Sequence, residues 1–247
     1  MKKLSQKDEK IIRSLQQKKY RKKHQLFIVE GEKLVKEAID STHIIRCVIT
    51  TAHEFEPLPK DVAIFTCDDI QMKRISGLTT PPGVLAAVEI PTNVQREQEE
   101  LELILEKIQD PGNLGTIIRT ADAFGIKTIV CSPDTVDWYS PKVVQATMGS
   151  IFRIKLIEQE LQPYLKEQAK SSTLYAAHLE GENIYQSKLK TPATLIMGSE
   201  SHGISTEVMQ IIHESVKIPI VGEAESFNVS IATAILLGEF KRQLSWQ

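Results

Sequence analysis

The chain has 247 residues, of which 41% are hydrophobic and 25% are charged, so it suits one large or two ordinary globular domains rather than a disordered tail or a fibre. Its three cysteines lack a CxxC pair, which argues against a disulfide framework and a thiolate zinc site. No secretory signal opens the chain, and the longest uncharged apolar run, residues 226–238, is too short to span a membrane. We therefore expect a soluble cytoplasmic protein that needs no metal.

The net charge of −2 is unevenly distributed, because residues 1–24 carry a local charge of +8 and the rest of the chain carries −10. A basic segment on an acidic body is typical of a protein that meets a polyanion such as RNA at one end. The candidate RNA-binding residues form a basic cluster: Lys18, Lys19, Arg21, Lys22 and Lys23. The alternative is a solvated helix face that keeps the chain soluble.

The N-terminal part of the sequence predicts a small α/β domain. Helical spacing of apolar residues predicts a helix over 1–20, and strands are predicted at 26–29, 44–50, 62–66 and 84–90, with a helix at 32–39. The order is a helix followed by β-α-β-β-α-β, which predicts an α/β sandwich of about 90 residues. A polar stretch at 91–100 is typical of a linker. The predicted domains are 1–92 and 101–247, joined by a linker at 93–100.

A second α/β pattern begins at residue 101. Strands are predicted at 127–131, 152–157, 173–179, 193–197 and 216–220, with helical patterns between most of them. Such alternation predicts a mainly parallel sheet covered by helices on both faces. Ligands bind beyond the carboxyl ends of the strands in these sheets. The three segments of interest are therefore 109–119, 198–205 and 221–230.

The first of these segments combines a turn with an amphipathic helix. Asp-Pro-Gly-Asn at 110–113 is a turn sequence, and we expect Asn113 to be the N-cap of the helix. Arg119 lies about 140° around the helix axis from Leu114, well off the apolar face. Its guanidinium is free to enter a cleft or to meet a partner chain. The alternative is a turn, a cap and a surface arginine.

The second segment, MGSESHGI at 197–204, places two glycines around an acid and a histidine directly after a predicted strand. Glycines allow the backbone to approach a ligand closely. A serine hydrolase that uses Ser201 and His202 is disfavoured, because a nucleophile elbow needs G-x-S-x-G and this spacing is one residue longer. The alternative is a flexible connection in which Ser205 caps the next helix.

The third segment contains Ile218-Pro219-Ile220 and the residues that lead into a helix predicted at 229–240. Pro219 has no backbone donor, so we expect it at a sheet edge or at a strand end. The helix has apolar residues in nearly every direction, and we expect it to be buried all round. A second subunit would bury it, which predicts a homodimer. The alternative is a central core helix.

Together, the three segments resemble the SpoU (TrmH-like) family of RNA ribose 2′-O-methyltransferases in the SPOUT class. The matching motifs are D-P-x-N-x-G-x-I-x-R-T-A-x-x-F-G at 110–125, M-G-x-E-x-x-G-I at 197–204, and I-P-I followed by S-F-N-V-S-x-A between residues 218 and 232. The N-terminal half resembles the L30e-like substrate-binding domain of several rRNA-directed members. One departure is Phe227, where the family usually has leucine, and we expect it to affect only adenine packing.

The resemblance implies an α/β fold in which a C-terminal SPOUT-type parallel sheet with a deep trefoil knot builds an S-adenosylmethionine site. It implies methyl transfer to a ribose 2′-hydroxyl of structured RNA, with rRNA favoured over tRNA. The apolar helix at 229–240 places the predicted homodimer contact in the C-terminal domain. The implied cofactor-binding residues are Met197, Gly198, Ile218, Ile220 and Phe227. The implied catalytic residues are Asn113, Arg119, Glu200, Ser226 and Asn228. The alternative is a non-catalytic RNA-binding protein on the same fold, which the retained catalytic residues disfavour.

The resemblance also suggests a role for each catalytic residue. A guanidinium stays protonated, so Arg119 is expected to hold an RNA phosphate and to stabilise the developing alkoxide rather than to accept a proton. Asn113 would orient the ribose or Arg119, and Glu200 would fix the guanidinium. Ser226 and Asn228 would shape the edge where cofactor and substrate meet.

Overall fold

A computed structural model describes residues 2–51, 62–92, 96, 99–199 and 201–245. The chain divides into two compact units. The first unit contains residues 1–93 together with 137–153, and the second contains residues 94–136 together with 154–247. Residues 137–153 thus belong to the first unit, although they lie within the predicted C-terminal domain. Two sequence predictions fall at least partly outside the described residues, namely Glu200 and much of the 93–100 linker.

The strands, in chain order, are β1 (Lys2–Lys3), β2 (Leu26–Glu30), β3 (Ile45–Thr50), β4 (Ala63–Thr66), β5 (Val84–Glu89), β6 (Leu101–Leu105), β7 (Thr128–Cys131), β8 (Lys155–Glu158), β9 (Thr173–Asn183), β10 (Ala193–Met197) and β11 (Glu214–Lys217). The helices are α1 (Gln6–Ser14), α2 (Lys18–His24), α3 (Glu32–Asp40), α4 (Asp69–Ile75), α5 (Pro111–Ala123), α6 (Pro141–Thr147), α7 (Leu161–Gln168), α8 (Thr206–Met209) and α9 (Val229–Ser245). Across the described residues, no helix has the length and apolar character needed to cross a membrane.

The first unit is built on a mixed sheet in the order β1-β4-β3-β5-β2. Strand β4 pairs in parallel with β1 and β3, whereas β5 is antiparallel to β2 and β3. The strands predicted in this part of the chain are confirmed within one or two residues, and so is their order with α3 and α4. Apolar side chains of β2, β3 and β5, including Ile28, Ile49 and Leu85, pack with residues of α1 and α4 in a buried core.

The single helix predicted over residues 1–20 is wrong, because the structure has a short strand and two helices there. Residues 2–3 pair with β4, and Ser5 caps α1 by accepting a hydrogen bond from the Asp8 backbone N–H at 3.1 Å. Gln17 has an extended backbone, with φ −106° and ψ 132°, and separates α1 from α2. A capping serine and an extended residue therefore set the helix limits that apolar spacing alone did not show.

The second unit contains a six-stranded sheet in the order β11-β9-β10-β6-β7-β8, and every pairing in it is parallel. The predicted parallel sheet is thereby confirmed. Two strands are displaced from their predicted positions. Residues 150–152 form a 3₁₀ turn, so β8 starts only at Lys155, and β11 ends at Lys217, before Pro219. Pro219 follows the edge strand, as expected for a residue without a backbone donor.

The long C-terminal helix α9 is buried on one side only within a single chain. Leu236, Leu237 and Phe240 are fully buried, and the Phe240 ring meets Tyr175 of β9 edge-on at 5.2 Å. Ile231 is 49% exposed, and Ile235, one turn further along, is half-buried. The alternative of a central core helix, which its own chain would bury on every side, is therefore disfavoured, and an apolar face stays open to solvent.

Candidate functional site

A cavity of about 820 Å³ opens in the second unit, where β10 and β11 end. The loop after β10 and the segment after β11 form two of its walls, and the residues that lead into α9 form a third. This is the position at which ligands bind in parallel α/β sheets. The volume also falls within the range of about 300–1,000 Å³ that is usual for small-molecule sites. All five predicted cofactor-binding residues line this cavity: Met197, Gly198, Ile218, Ile220 and Phe227.

The loop after β10 is a tight turn that depends on its glycines. Ser199 and Gly203 exchange two backbone hydrogen bonds of 3.0 Å, and Gly203 has a φ of +65°. A Cβ atom on Gly198 would lie only 2.2 Å from the carbonyl carbon of Gly203. The two backbone segments can approach this closely only because Gly198 has no side chain. Glu200 lies outside the described residues.

The structure joins the first and third sequence motifs through two asparagines. Asn228 Nδ2 donates a hydrogen bond of 3.0 Å to Asn113 Oδ1. Asn228 Oδ1 accepts two hydrogen bonds from Ser230, one from its backbone N–H at 2.9 Å and one from its hydroxyl at 2.7 Å. The start of α9 therefore holds the Asn228 amide in place, and Asn228 in turn positions Asn113. Ser226 and Asn228 also line the cavity.

The predicted role of Asn113 as helix N-cap is wrong. The cap is Asp110, whose carboxylate accepts a hydrogen bond of 2.8 Å from the Asn113 backbone N–H. Pro111 occupies the first turn of α5, where its missing N–H would have no partner in any case. Because Asp110 satisfies the helix end, the Asn113 side chain is available for Asn228.

Arg119 is exposed on α5, whereas Leu114, Ile117 and Ile118 on the same helix are fully buried. Its predicted position off the apolar face is confirmed. Arg119 is absent from the lining of the cavity in its own chain. The structure thus brings Asn113 to Asn228 but does not bring Arg119 to the predicted cofactor residues of the same chain.

One wall of the cavity was missed by the sequence predictions. The pairing of β9 with β11 jumps from Ala176–Ser215 to Glu182–Val216, so residues 177–181 form a large bulge. His178, Leu179 and Glu180 of this bulge line the cavity. A Cβ atom on Gly181 would lie 2.6 Å from the backbone of β11. An isolated glycine within a strand pattern is a signal of a bulge, so Gly181 could have revealed this wall.

The serine and histidine of the disfavoured hydrolase hypothesis are neighbours, with Ser201 Oγ 2.7 Å from His202 Nδ1. Both side chains are exposed. Within the described residues, no carboxylate forms a hydrogen bond with His202, so the third member of a hydrolytic triad is missing there. The pair therefore stays disfavoured as a nucleophilic site.

The basic cluster of the first unit is not one continuous surface. Lys18, Lys19, Lys22 and Lys23 are exposed, but Arg21 is only 3% exposed. Arg21 forms an ion pair with Asp137 and donates a hydrogen bond of 2.7 Å to the Leu15 carbonyl. The structure therefore argues against the predicted RNA contact through Arg21, because its guanidinium points inward and is occupied within its own unit.

Comparison with known proteins decides the family. Residues 100–238, more than half of the chain, match the SpoU rRNA methylase family. The chain belongs to this family. Residues 7–86 match the MRM3-like substrate binding domain, in agreement with the predicted substrate-binding role of the N-terminal domain. The two matched regions account for the two α/β patterns in the sequence.

Similar proteins cover nearly the whole chain. The 23S rRNA (guanosine(2553)-2′-O)-methyltransferase RlmP of Bacillus subtilis is 30% identical, over 91% of this chain and 92% of its own. A structure from Porphyromonas gingivalis, assigned to the TrmH family of RNA methyltransferases, is 38% identical with a TM-score of 0.87, over 97% of this chain and 99% of its own. The AdoMet-bound rRNA methyltransferase of Sinorhizobium meliloti is 30% identical with a TM-score of 0.87, over 99% of this chain and 97% of its own. The similarity therefore includes both units.

Proposed function

We propose that this protein transfers a methyl group from S-adenosylmethionine to a ribose 2′-hydroxyl of rRNA. One observation carries the proposal: the five residues that the family motifs predict to bind the cofactor line a single cavity at the carboxyl ends of the strands. Its relatives support both the RNA substrate and the cofactor. The Bacillus subtilis relative is a 23S rRNA 2′-O-methyltransferase, and the Sinorhizobium meliloti structure contains bound AdoMet.

The lining of the cavity suits S-adenosylmethionine. Met197, Ile220 and Leu236 offer apolar surface for an adenine ring, and the backbone around Gly198 and Ile218 is accessible for hydrogen bonds. The bound cofactor supplies an electrophilic methyl group on a sulfonium centre. Glu180 and Glu225 also line the cavity and provide carboxylates near a positively charged ligand. Phe227, which replaces the usual leucine, is 41% exposed at the cavity and has room to adjust its packing.

The chain's own residues would supply the remaining requirements of the reaction. A ribose hydroxyl is a weak acid, so its attack requires stabilisation of the developing negative charge. Arg119 would hold the RNA phosphate and the alkoxide as a permanent cation, and the adjacent phosphate or a water molecule would accept the proton. The hydrogen-bonded pair of Asn113 and Asn228 would orient the ribose. Glu200 is proposed to fix the Arg119 guanidinium.

We also propose that the active form is a homodimer through the C-terminal domain. The open apolar face of α9 around Ile231 supports this, because burial of such a face in a second copy removes it from water. The position of Arg119 gives a second argument, since it is exposed and does not line the cavity of its own chain. In a dimer, Arg119 of one copy would complete the cavity of the other.

The domain proposed to bind RNA is 1–92, and the domain proposed to bind the cofactor is 101–247.

The test is methyl transfer from S-adenosylmethionine with a radiolabelled methyl group. The purified protein is incubated separately with rRNA and with tRNA from cells that lack it. We expect the label to appear in rRNA. The labelled nucleotide should resist alkaline cleavage, because that cleavage requires a free ribose 2′-hydroxyl. Label in tRNA alone would favour the tRNA alternative. No label in either RNA, with RNA binding retained, would favour a non-catalytic RNA-binding protein.

A further inference from the structure

The first unit contains a groove of about 590 Å³, bordered by α1 and α2 and by one residue of α4. Four basic side chains line this groove: Lys10, Arg13, Lys23 and Arg74. Among the described residues that form the lining, none is acidic. Such a concentration of one charge in a concave surface raises the local positive potential and attracts an anion.

The groove is different from the basic cluster that the sequence predicted. Of that cluster, only Lys23 lines it, whereas Lys18, Lys19 and Lys22 do not. Arg74 comes from α4, far along the chain. The fold therefore collects positive charges from three helices into one surface that no continuous stretch of sequence contains.

Contacts between α1 and α4 hold the shape of the groove. Gln16 Nε2 donates a hydrogen bond of 3.1 Å to the Ile75 carbonyl, which ties the connection after α1 to the last residue of α4. On the same side, Arg74 Nη1 lies 3.7 Å from a carboxylate oxygen of Glu9. Arg74 is 58% exposed in this pairing, so much of its guanidinium remains open to a ligand.

The groove also contains an aromatic pair. The rings of Tyr20 and His24 lie 6.4 Å apart and are inclined by only 20°. Lys19 Nζ lies 4.7 Å from the centre of the Tyr20 ring and adds another positive charge beside it. Both rings are half-buried, which limits their movement while leaving ring surface accessible.

We propose that this groove binds a single-stranded segment of the RNA substrate. Its cations would contact successive phosphates, and an unpaired base would stack on Tyr20, the combination that single-stranded RNA sites use. An A-form duplex keeps its bases stacked internally and offers no free base to the ring, so a duplex is the poorer ligand. The inference rests on the proposed function for RNA as the substrate and adds where, and in which form, the first unit holds it.

The experiment measures binding of the full-length protein to a fluorescein-labelled oligouridylate and to an RNA duplex of the same length, by fluorescence anisotropy over a salt series. The groove variant is Lys10→Gln/Arg13→Gln/Lys23→Gln. A matched control, Lys7→Gln/Lys33→Gln/Lys73→Gln, removes the same charge from exposed residues of the same unit outside the groove. A third variant, Tyr20→Leu, removes the ring without changing the charge.

The wild-type protein is expected to bind the single strand more tightly than the duplex. The groove variant should lower the slope of log affinity against log salt by about 2, because three phosphate contacts are lost at about 0.7 each. The control should retain most of the slope. Tyr20→Leu should weaken binding of the single strand at least about fivefold without changing the slope, since it removes base stacking alone.

Equal losses in the groove and control variants would overturn the proposal, because binding would then depend only on total charge. Tighter binding of the duplex by the wild-type protein would also overturn it. Methyl transfer to rRNA, measured on the same proteins, separates this inference from the proposed function. If the wild-type protein methylates rRNA and the groove variant keeps its oligouridylate affinity, only the groove is wrong. If the wild-type protein transfers no methyl group, the proposed function fails whatever the groove binds.

Discussion

Replacing Gly198 with alanine tests the geometry of the cavity most directly. A Cβ atom there would lie 2.2 Å from the carbonyl carbon of Gly203 and 2.4 Å from the backbone nitrogen of Ile204. Carbon atoms in contact are normally separated by about 3.5 Å, so about 1.3 Å of overlap must be relieved. The obstructing atoms are backbone atoms, which cannot rotate away as a side chain does. The turn at 198–204 must therefore move as a whole.

The expected cost has two parts. Forced overpacking lowers the free energy of unfolding by about 1–3 kcal/mol, which corresponds to a fall in Tm of about 2–12 °C for a chain of this length. Displacement of the turn by about 1 Å also distorts the proposed cofactor site, and misplacement on this scale reduces catalytic efficiency by about 100-fold. Thermal unfolding and kcat/KM for methyl transfer to rRNA measure these two effects separately. Calorimetry with S-adenosylhomocysteine should show weakened binding.

Gly222→Ala is the matched control, because its Cβ atom would have no neighbour within 4 Å and the residue is exposed. Its effect on the free energy of unfolding should stay within about 0.5 kcal/mol, with cofactor binding unchanged. A Gly198→Ala protein with the stability, cofactor affinity and activity of the wild type would refute the reasoning. So would equal losses of cofactor affinity in both variants.

Four further predictions follow from individual side chains. Arg119→Ala should abolish methyl transfer while the affinity for S-adenosylhomocysteine stays close to that of the wild type, because Arg119 does not line the cavity of its own chain. A parallel loss of cofactor affinity would contradict the proposed catalytic role of Arg119. Ile231→Asp should convert the proposed dimer to a monomer in sedimentation experiments, because it places a charge on the open apolar face of α9. A wild-type protein that is an active monomer at micromolar concentration would disprove the dimer. Arg21→Gln should lower the free energy of unfolding of the first unit by about 3–5 kcal/mol, because it leaves the Asp137 carboxylate without its buried partner; unchanged stability in urea unfolding would argue against this. Burial raises the pKa of Cys47 and of Cys67 to about 11 and also raises the pKa of Cys131. At pH 8 about one in a thousand thiols with a pKa near 11 is ionised, so the native thiols should react only slowly with a disulfide reagent. Rapid labelling of the native protein, before unfolding, would show that these thiols are accessible.

The sequence predicted the elements whose signals are local. Runs of β-branched and apolar residues marked most strands of both units, although not β1 and β6, and alternation with helical patterns predicted the parallel sheet. The three motifs were recognisable because each keeps its residues within a short stretch, in the order of the family. For the same reason, Arg119 was correctly placed off the apolar face of α5, since helical geometry sets that angle without help from the rest of the fold.

The limits of helices and strands were less predictable, because they depend on individual hydrogen bonds. Asp110 and Asn113 are both good capping residues, and only the structure shows that the Asp110 carboxylate binds the Asn113 N–H. Gly181 is a sequence signal for the bulge at 177–181, but the length of the bulge is set by the shifted pairing of β9 with β11 and cannot be predicted from strand propensity. The cavity wall around His178 was missed for this reason.

By itself, the sequence determined which family the chain resembles, which segments line the proposed cofactor site and which end of the chain is basic. Only the tertiary structure decided which charges are available to a ligand. Arg21 lies in the middle of the basic cluster, yet it is buried against Asp137, more than a hundred residues away in the chain. Arg74 lies outside the cluster but joins Lys10, Arg13 and Lys23 in one groove. Local charge follows from composition, but exposure and proximity are set by the packing of helices that are distant in sequence.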